Sequence, residues 1–200
     1  MKHELKHFYI GDSYGGNQDW FPTFMMRIGG CGAETACDSS IYFALHRGLT
    51  KISPENTTKL TQEEYVRFAY KMKPYLSPRM TGIDRLEIYT AGYSQYLRDC
   101  CETRLAMTPL HGTEPYEAAR EAVVQQIDQG YPIPVLVLNH RMKKLRDYVW
   151  HWFLINGYDD SGKTFLVKTV TYGTYEWLDL GELWDTGHIR RGGLVLYHID

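Results

Sequence analysis

Several features that mark specialised classes of protein are scarce or missing in this sequence. Neither sign of charge dominates. Over 200 residues, 22 Lys and Arg stand against 24 Asp and Glu, a formal net charge of −2. That balance gives no electrostatic footprint for nucleic acid or an anionic membrane, so neither is expected as a partner. No apolar run approaches the length of a transmembrane span. The opening MKHELKHFYIGDS has charges but not the apolar stretch of a signal peptide, which makes the cytoplasm the expected address. Cysteine is sparse. Cys31, Cys37, Cys100 and Cys101 include no C-x-x-C pair, so the expected ligand spacing of a zinc site is missing. The neighbours Cys100 and Cys101 are awkward disulfide partners, and a chain this large needs no staple. Free thiols, no metal and no cofactor are therefore expected. No repeat, low-complexity tract or Pro/Ser/Gly-rich linker divides the chain, which points to one domain over residues 1–200.

What is present is a well-patterned globular chain. Hydrophobic residues make up 44% and aromatics 14%, with 16 Tyr, enough for a substantial core. The first 30 residues read as irregular, rich in glycine and aromatics. A helix is expected over about 33–47, where Cys37, Ile41, Ala44 and Leu45 recur at helical spacing and Gly48 supplies a C-terminal cap. Thr61 and Glu64 form a capping box ahead of a face of Tyr65, Phe68, Ala69 and Met72. More helix is expected over about 86–101. The clearest helix follows Thr113 as cap and Pro115 in the first turn, carries Tyr116, Ala119, Val123 and Ile127 on one side, and ends at Gly130. After Gly130 the pattern turns extended. IPVLVLN, YVWHWFLING, KTFLVKTV, TYEWL and GLVLYHI read as strands, with DDSG as a hairpin turn and a short helix near 180–184. This order gives an α+β fold, a helical half over about 31–130 and an antiparallel sheet half over about 131–200.

Cys31 sits among Gly29, Gly30 and Gly32, at or just before the first of these helices. Unpaired N–H groups and the positive dipole end there favour a thiolate, which suits a nucleophile. A cysteine nucleophile needs a base, usually a histidine that the fold brings close. Of eight histidines, His151 stands apart because it lies inside an aromatic strand, VWHWFLINGY. An imidazole there is costly unless it is hydrogen-bonded or faces a cleft. The plain alternative is a satisfied core histidine.

GGCGAETACDSSIYFA, followed much later by HWFLINGYDDSGKTFLVK, resembles the papain-like cysteine peptidases. It is most similar to the bacterial branch of double-glycine leader peptidases that process bacteriocins, and their free-standing relatives. The resemblance covers roughly residues 15–44 and 133–183, not the middle. It implies a papain-like fold, a helical half packed on an antiparallel sheet, with Cys31 as nucleophile and His151 as general base. Two positions depart from the family pattern. Its oxyanion-hole Gln falls about half a dozen residues before the Cys, where this chain has Met25 and Met26. The nearest candidate is Gln18, in GGNQDWF, with Asn17 its only rival. The family's Asn or Asp that orients the His is matched here by Thr169, whose hydroxyl can accept an imidazole N–H. Trp20 is expected to wall the site, with Gly30, Gly32 and Trp152 beside the substrate, although Trp150 and Trp152 flank His151 on the opposite strand face and also suit the core. The basic segment HRMKKLR (140–146) reads as a solvated hairpin tip, or as a guide for an acidic peptide. The resulting expectation is a cysteine peptidase or amidase acting on a peptide or amide substrate. An acyltransferase using the same pair and a non-catalytic peptide-binding module are the alternatives. Nothing in the sequence indicates an oligomeric state.

Overall fold

A computed structural model describes residues 1–79 and 82–199. Strand β1 (Lys2–Glu4) and the small hairpin of β2 (Tyr9–Ile10) and β3 (Ser13–Tyr14) come first. A 3-10 turn, Gln18–Trp20, leads to α1 (Phe24–Gly29) and α2 (Cys31–Arg47). Helices α3 (Gln62–Met72) and α4 (Leu86–Asp99) follow, then β4 (Leu105–His111) and α5 (Tyr116–Asp128). The remainder is β5 (Ile133–Val137), β6 (His151–Asp159), β7 (Leu166–Thr171), β8 (Thr174–Asp179), α6 (Leu180–Trp184) and β9 (Gly193–Ile199).

The fold is α+β with an antiparallel sheet, as the order of patterns implies. The main sheet runs β4-β9-β5-β6-β7-β8, and β1 pairs with the far end of β6. Two of its strands lie outside the expected sheet half. β4 falls within the helical stretch and carries Pro109, which lacks a ladder N–H; as an edge strand paired only with β9, β4 tolerates it. β1, KHE, has no apolar signature at all and is held by its pairing to Gly157–Asp159.

Helices cover both faces of the sheet. Residues of α2, α3 and α4 share one core with Trp152 and Tyr197, and residues of α5 and α6 share another with Phe153, Ile155 and Val167. Alternation along β6 sends Trp152 to the first face and Phe153 to the second. Helix α2 is enclosed. Every residue from Cys31 to Ala44 is buried, including Glu34, Asp38, Ser39 and Ser40. Capping is as expected for α3, where Thr61 and Glu64 exchange bonds, and for α2, which ends at Gly48 in the left-handed region. At α5 the expected Thr113 cap is not used. Pro115 takes the N-cap position, where its missing N–H costs nothing. Between Ile155 and Tyr158 the β6–β7 register shifts by one, at a bulge. The basic segment 140–146 is pinned beside α6 by Lys144–Glu182 and Arg141–Asp185 ion pairs.

Candidate active site

The start of α2, the start of β6, the β7–β8 turn and the Gln18 turn meet at one place. Gly30 joins α1 to α2, and a Cβ there would stand 2.3 Å from the Met26 carbonyl oxygen. A Cβ at Gly32 would lie 2.9 Å from Ile83 Cδ1. Packing alone therefore requires glycine at 30, where the obstacle is backbone, whereas at 32 it is the tip of a side chain that can shift. The chain can turn sharply between the helices, and Cys31 becomes the first residue of α2.

The Cys31 thiol has backbone N–H groups of Trp152, Gly32 and Cys31 around it, all of which favour a thiolate. Burial outweighs them. Cys31 is 3% exposed, and desolvation, with the nearby Glu34 carboxyl adding to it, pushes the thiol up to about 11. The thiolate expected from the helix position is thus replaced by a neutral thiol in the resting protein. His151, one residue from the Trp152 N–H that faces the sulfur, is 4% exposed, and burial lowers it to about 4. Its Nε2 is 2.6 Å from Thr171 Oγ1. Its Nδ1 makes no hydrogen bond among the described residues. Over the ring lies Tyr172, coplanar within 4° at 4.8 Å between centroids. The Tyr172 phenol is pushed up to about 12, first by burial and then by the Cys31 thiol it faces. Trp150 and Tyr172, at φ 54° and 51°, are non-glycine residues in the left-handed region on either side of this cluster. Such conformations persist only where the surroundings enforce them.

Thr169 does not orient His151. Its hydroxyl is 2.8 Å from Tyr148 Oη and donates to the Glu176 carbonyl, so the partner of the imidazole is Thr171, two residues along the same strand face. Trp152 does not line the site either. It is 1% exposed, stacks on Tyr89 at 4.4 Å and donates its indole N–H to the Ile83 carbonyl at 2.6 Å, all on the helical side of the sheet. Trp20 is half-buried and meets Tyr65 edge-on at 5.7 Å.

Gln18 is brought to the start of α2, by an anchor outside the sequence motif. Asp38 accepts the Gly16 N–H at 3.1 Å and the Tyr65 hydroxyl at 2.7 Å, clamping the loop before Gln18 onto α2. Gly16 must be glycine there, since a Cβ would stand 2.0 Å from Tyr65 Oη. Asn17 ties the same loop to the β7–β8 turn by donating to the Tyr172 carbonyl at 3.2 Å. The Gln18 main-chain N–H then faces the Glu34 carboxyl, one turn after Cys31. Its side-chain amide donates to the Arg27 carbonyl, one turn before Cys31. Gln18 thus brackets the nucleophile position, with that N–H already engaged.

Thr171, Tyr172, Glu34, Asp38 and Tyr65 are the site-building residues that sequence reasoning missed. The signal available was the run ETACDSS, polar residues on a helix with apolar neighbours, which marks a helix buried all round. Beside Thr171 and Tyr172 an open groove of about 320 Å³ is lined by Tyr148, Thr169, Tyr175 and Glu176 as well. Among the described residues no three His, Cys, Asp or Glu side chains converge as metal ligands; His3 and His7, four apart, go separately to Asp128 and Asp38. Nor is any helix among those residues long and apolar enough to cross a membrane. Fold and site together define an α+β domain with a buried cysteine at the start of α2 and a buried His151–Thr171 pair on the strands packed beside it. No protein-family model matches the chain, and comparisons with curated proteins and with solved structures return no match.

Proposed function

We propose that the protein is a papain-like cysteine hydrolase of peptide or amide bonds, with Cys31 as nucleophile and His151 as general base. One arrangement supports this reading: the Cys31 thiol lies against the Trp152 N–H, one residue from His151, and faces Tyr172, which stacks on the His151 ring that Thr171 holds. With Nε2–H donating to Thr171, the basic nitrogen is Nδ1, the ring atom left unbonded. The resting pair is neutral, so the chemistry is general-base catalysis rather than attack by a preformed thiolate. Nδ1 takes the Sγ proton as sulfur bonds to the carbonyl carbon and the carbonyl electron pair moves to oxygen. N–H groups at the α2 start and the Gln18 amide are the donors for that oxyanion. Collapse expels the amine, which takes the proton from the imidazolium, and leaves a thioester on Cys31. Water then releases the acyl group in a hydrolase; an amine acceptor would make the same site an acyltransferase.

One observation favours a second reading, a non-catalytic peptide-binding module: Cys31 is sealed and does not line the open groove next to it. Reaction with p-nitrophenyl acetate separates the two. A hydrolase acetylates at Cys31, seen by intact mass and peptide mapping, and turns over. His151→Ala is expected to slow acetylation by about 10²-fold or more, and Cys31→Ala to abolish it. Equal p-nitrophenolate release from parent and Cys31→Ala, with no acetyl on Cys31, would leave the binding module.

A further inference from the structure

Two buried oxygens near the start of α2 have no hydrogen-bond partner among the described residues, Gln18 Oε1 and Glu34 Oε2. Their side chains belong to residues only 4% and 5% exposed. A buried acceptor without a donor is costly, and two of them on adjacent residues require a common explanation. The residues are adjacent because the Gln18 main-chain N–H faces the Glu34 carboxyl. An amide oxygen only accepts, whereas a carboxyl that keeps its proton also donates.

We propose that Glu34 is a positioning residue for the oxyanion donor: its carboxyl O–H donates to Gln18 Oε1 and holds the amide with one N–H on the Arg27 carbonyl and the other turned toward Cys31. The inference rests on the reading of Cys31 as nucleophile. A single bond satisfies both orphaned oxygens and explains how an amide already engaged by Arg27 still presents a donor, since a primary amide has two N–H groups.

The surroundings favour the proton. The charged groups acting on Glu34 are acids: Asp38 on its own helix and Asp19 from the Gln18 turn. Cys31 on α2, Tyr65 from α3 and Tyr172 from the β7–β8 turn also face it, all groups that are neutral until they lose a proton. His7 lies one turn further on, 3.8 Å from Asp38. Burial, then these carboxylates, hold the Glu34 carboxyl well above the usual carboxylate range.

The test uses p-nitrophenyl acetate turnover with three variants and an infrared measurement that does not depend on turnover. Glu34→Gln keeps the size and a donor but has no proton to lose, whereas Glu34→Ala removes the donor. Glu34→Ala and Gln18→Ala are each expected to lower kcat by about a hundredfold, and the double variant no further. Glu34→Gln is expected to retain the parent rate at neutral pH and to lose that part of the alkaline decline due to Glu34. A fall in Glu34→Gln as deep as in Glu34→Ala would overturn the proposal. In the infrared, the parent minus Glu34→Gln difference at pH 7 is expected to show a carboxylic-acid C=O band that shifts in Gln18→Ala. A carboxylate band, or an acid band unmoved by Gln18→Ala, would overturn the proposal even if every variant folds and turns over. If turnover proves independent of Cys31, the reading of the function fails while the infrared still decides the Glu34–Gln18 bond.

Discussion

The rate at which Cys31 is alkylated tests whether the resting site is neutral. A thiol held at about 11 is ionised at pH 7 in about one molecule in 10⁴, against about three in a hundred for an ordinary thiol near 8.5. Alkylation follows the thiolate. On ionisation alone, Cys31 is therefore expected to react with iodoacetamide about 300-fold more slowly than a cysteine in a flexible peptide, and its burial slows it further. The rate is expected to climb about tenfold per pH unit from 7 to 10 without a plateau. Replacing Tyr172, whose phenol faces the thiol, with Ala admits water and reagent and is expected to raise the rate at pH 7 by about tenfold or more. Timed quenching with peptide mapping reads each cysteine separately, with exposed Cys101 and sealed Cys37 as the fast and slow references. A fast plateau already reached below pH 7, and lost in His151→Ala, would refute the reasoning. It would mean that the pair rests as thiolate and imidazolium and that the helix-start amides outweigh burial.

His151 predicts a pH dependence of stability. Its folded value of about 4 lies below the unfolded 6.5, so in that window the unfolded chain binds a proton that the folded one does not. Stability therefore rises with pH from about 4 to 6.5, by roughly 3 kcal/mol in total, and urea titrations of parent and His151→Gln should differ by that slope. Thr171→Val removes the bond to Nε2 and is expected to lower p-nitrophenyl acetate turnover by about tenfold or more, whereas Thr169→Val, which removes the bonds to Tyr148 and the Glu176 carbonyl, acts on stability, by about 1 kcal/mol in denaturant. Trp152→Ala empties the face between β6 and α4 and should cost about 3–5 kcal/mol in the same assay.

Much of this arrangement was legible in the sequence because the signals were local. A cysteine among glycines before a periodic run, and a histidine in an aromatic strand, are read without knowing what they meet. The choice of Thr169 over Thr171 failed for a non-local reason. Both threonines lie on the face of His151, and the β6–β7 register decides between them: Ile155 opposes Thr169, so Thr171 is the one nearer the start of β6, where His151 stands. No residue type near Ile155 signals that pairing. β4 was hidden by Pro109, which is tolerated only because β4 is an edge, a property of the whole sheet. The expected thiolate failed on magnitude. The dipole and the N–H groups of the helix start were readable from position, but the burial that outweighs them comes from a core assembled by elements far along the chain.

The clamp of Asp38 and Tyr65 on Gly16 changes what sequence spacing means in this protein. Gln18 is positioned by a carboxylate one turn beyond Glu34 on α2, not by the thirteen residues that separate it from Cys31. The stretch between Gln18 and α1 can lengthen or shorten as long as Gly16 still reaches Asp38 and the Arg27 carbonyl still meets the Gln18 amide. Related chains would then keep glycine and aspartate in step while the gap between glutamine and cysteine drifts. A search with a fixed Gln-to-Cys distance would pass over them, and one that pairs the loop glycine with an acidic residue seven positions after the cysteine would find them.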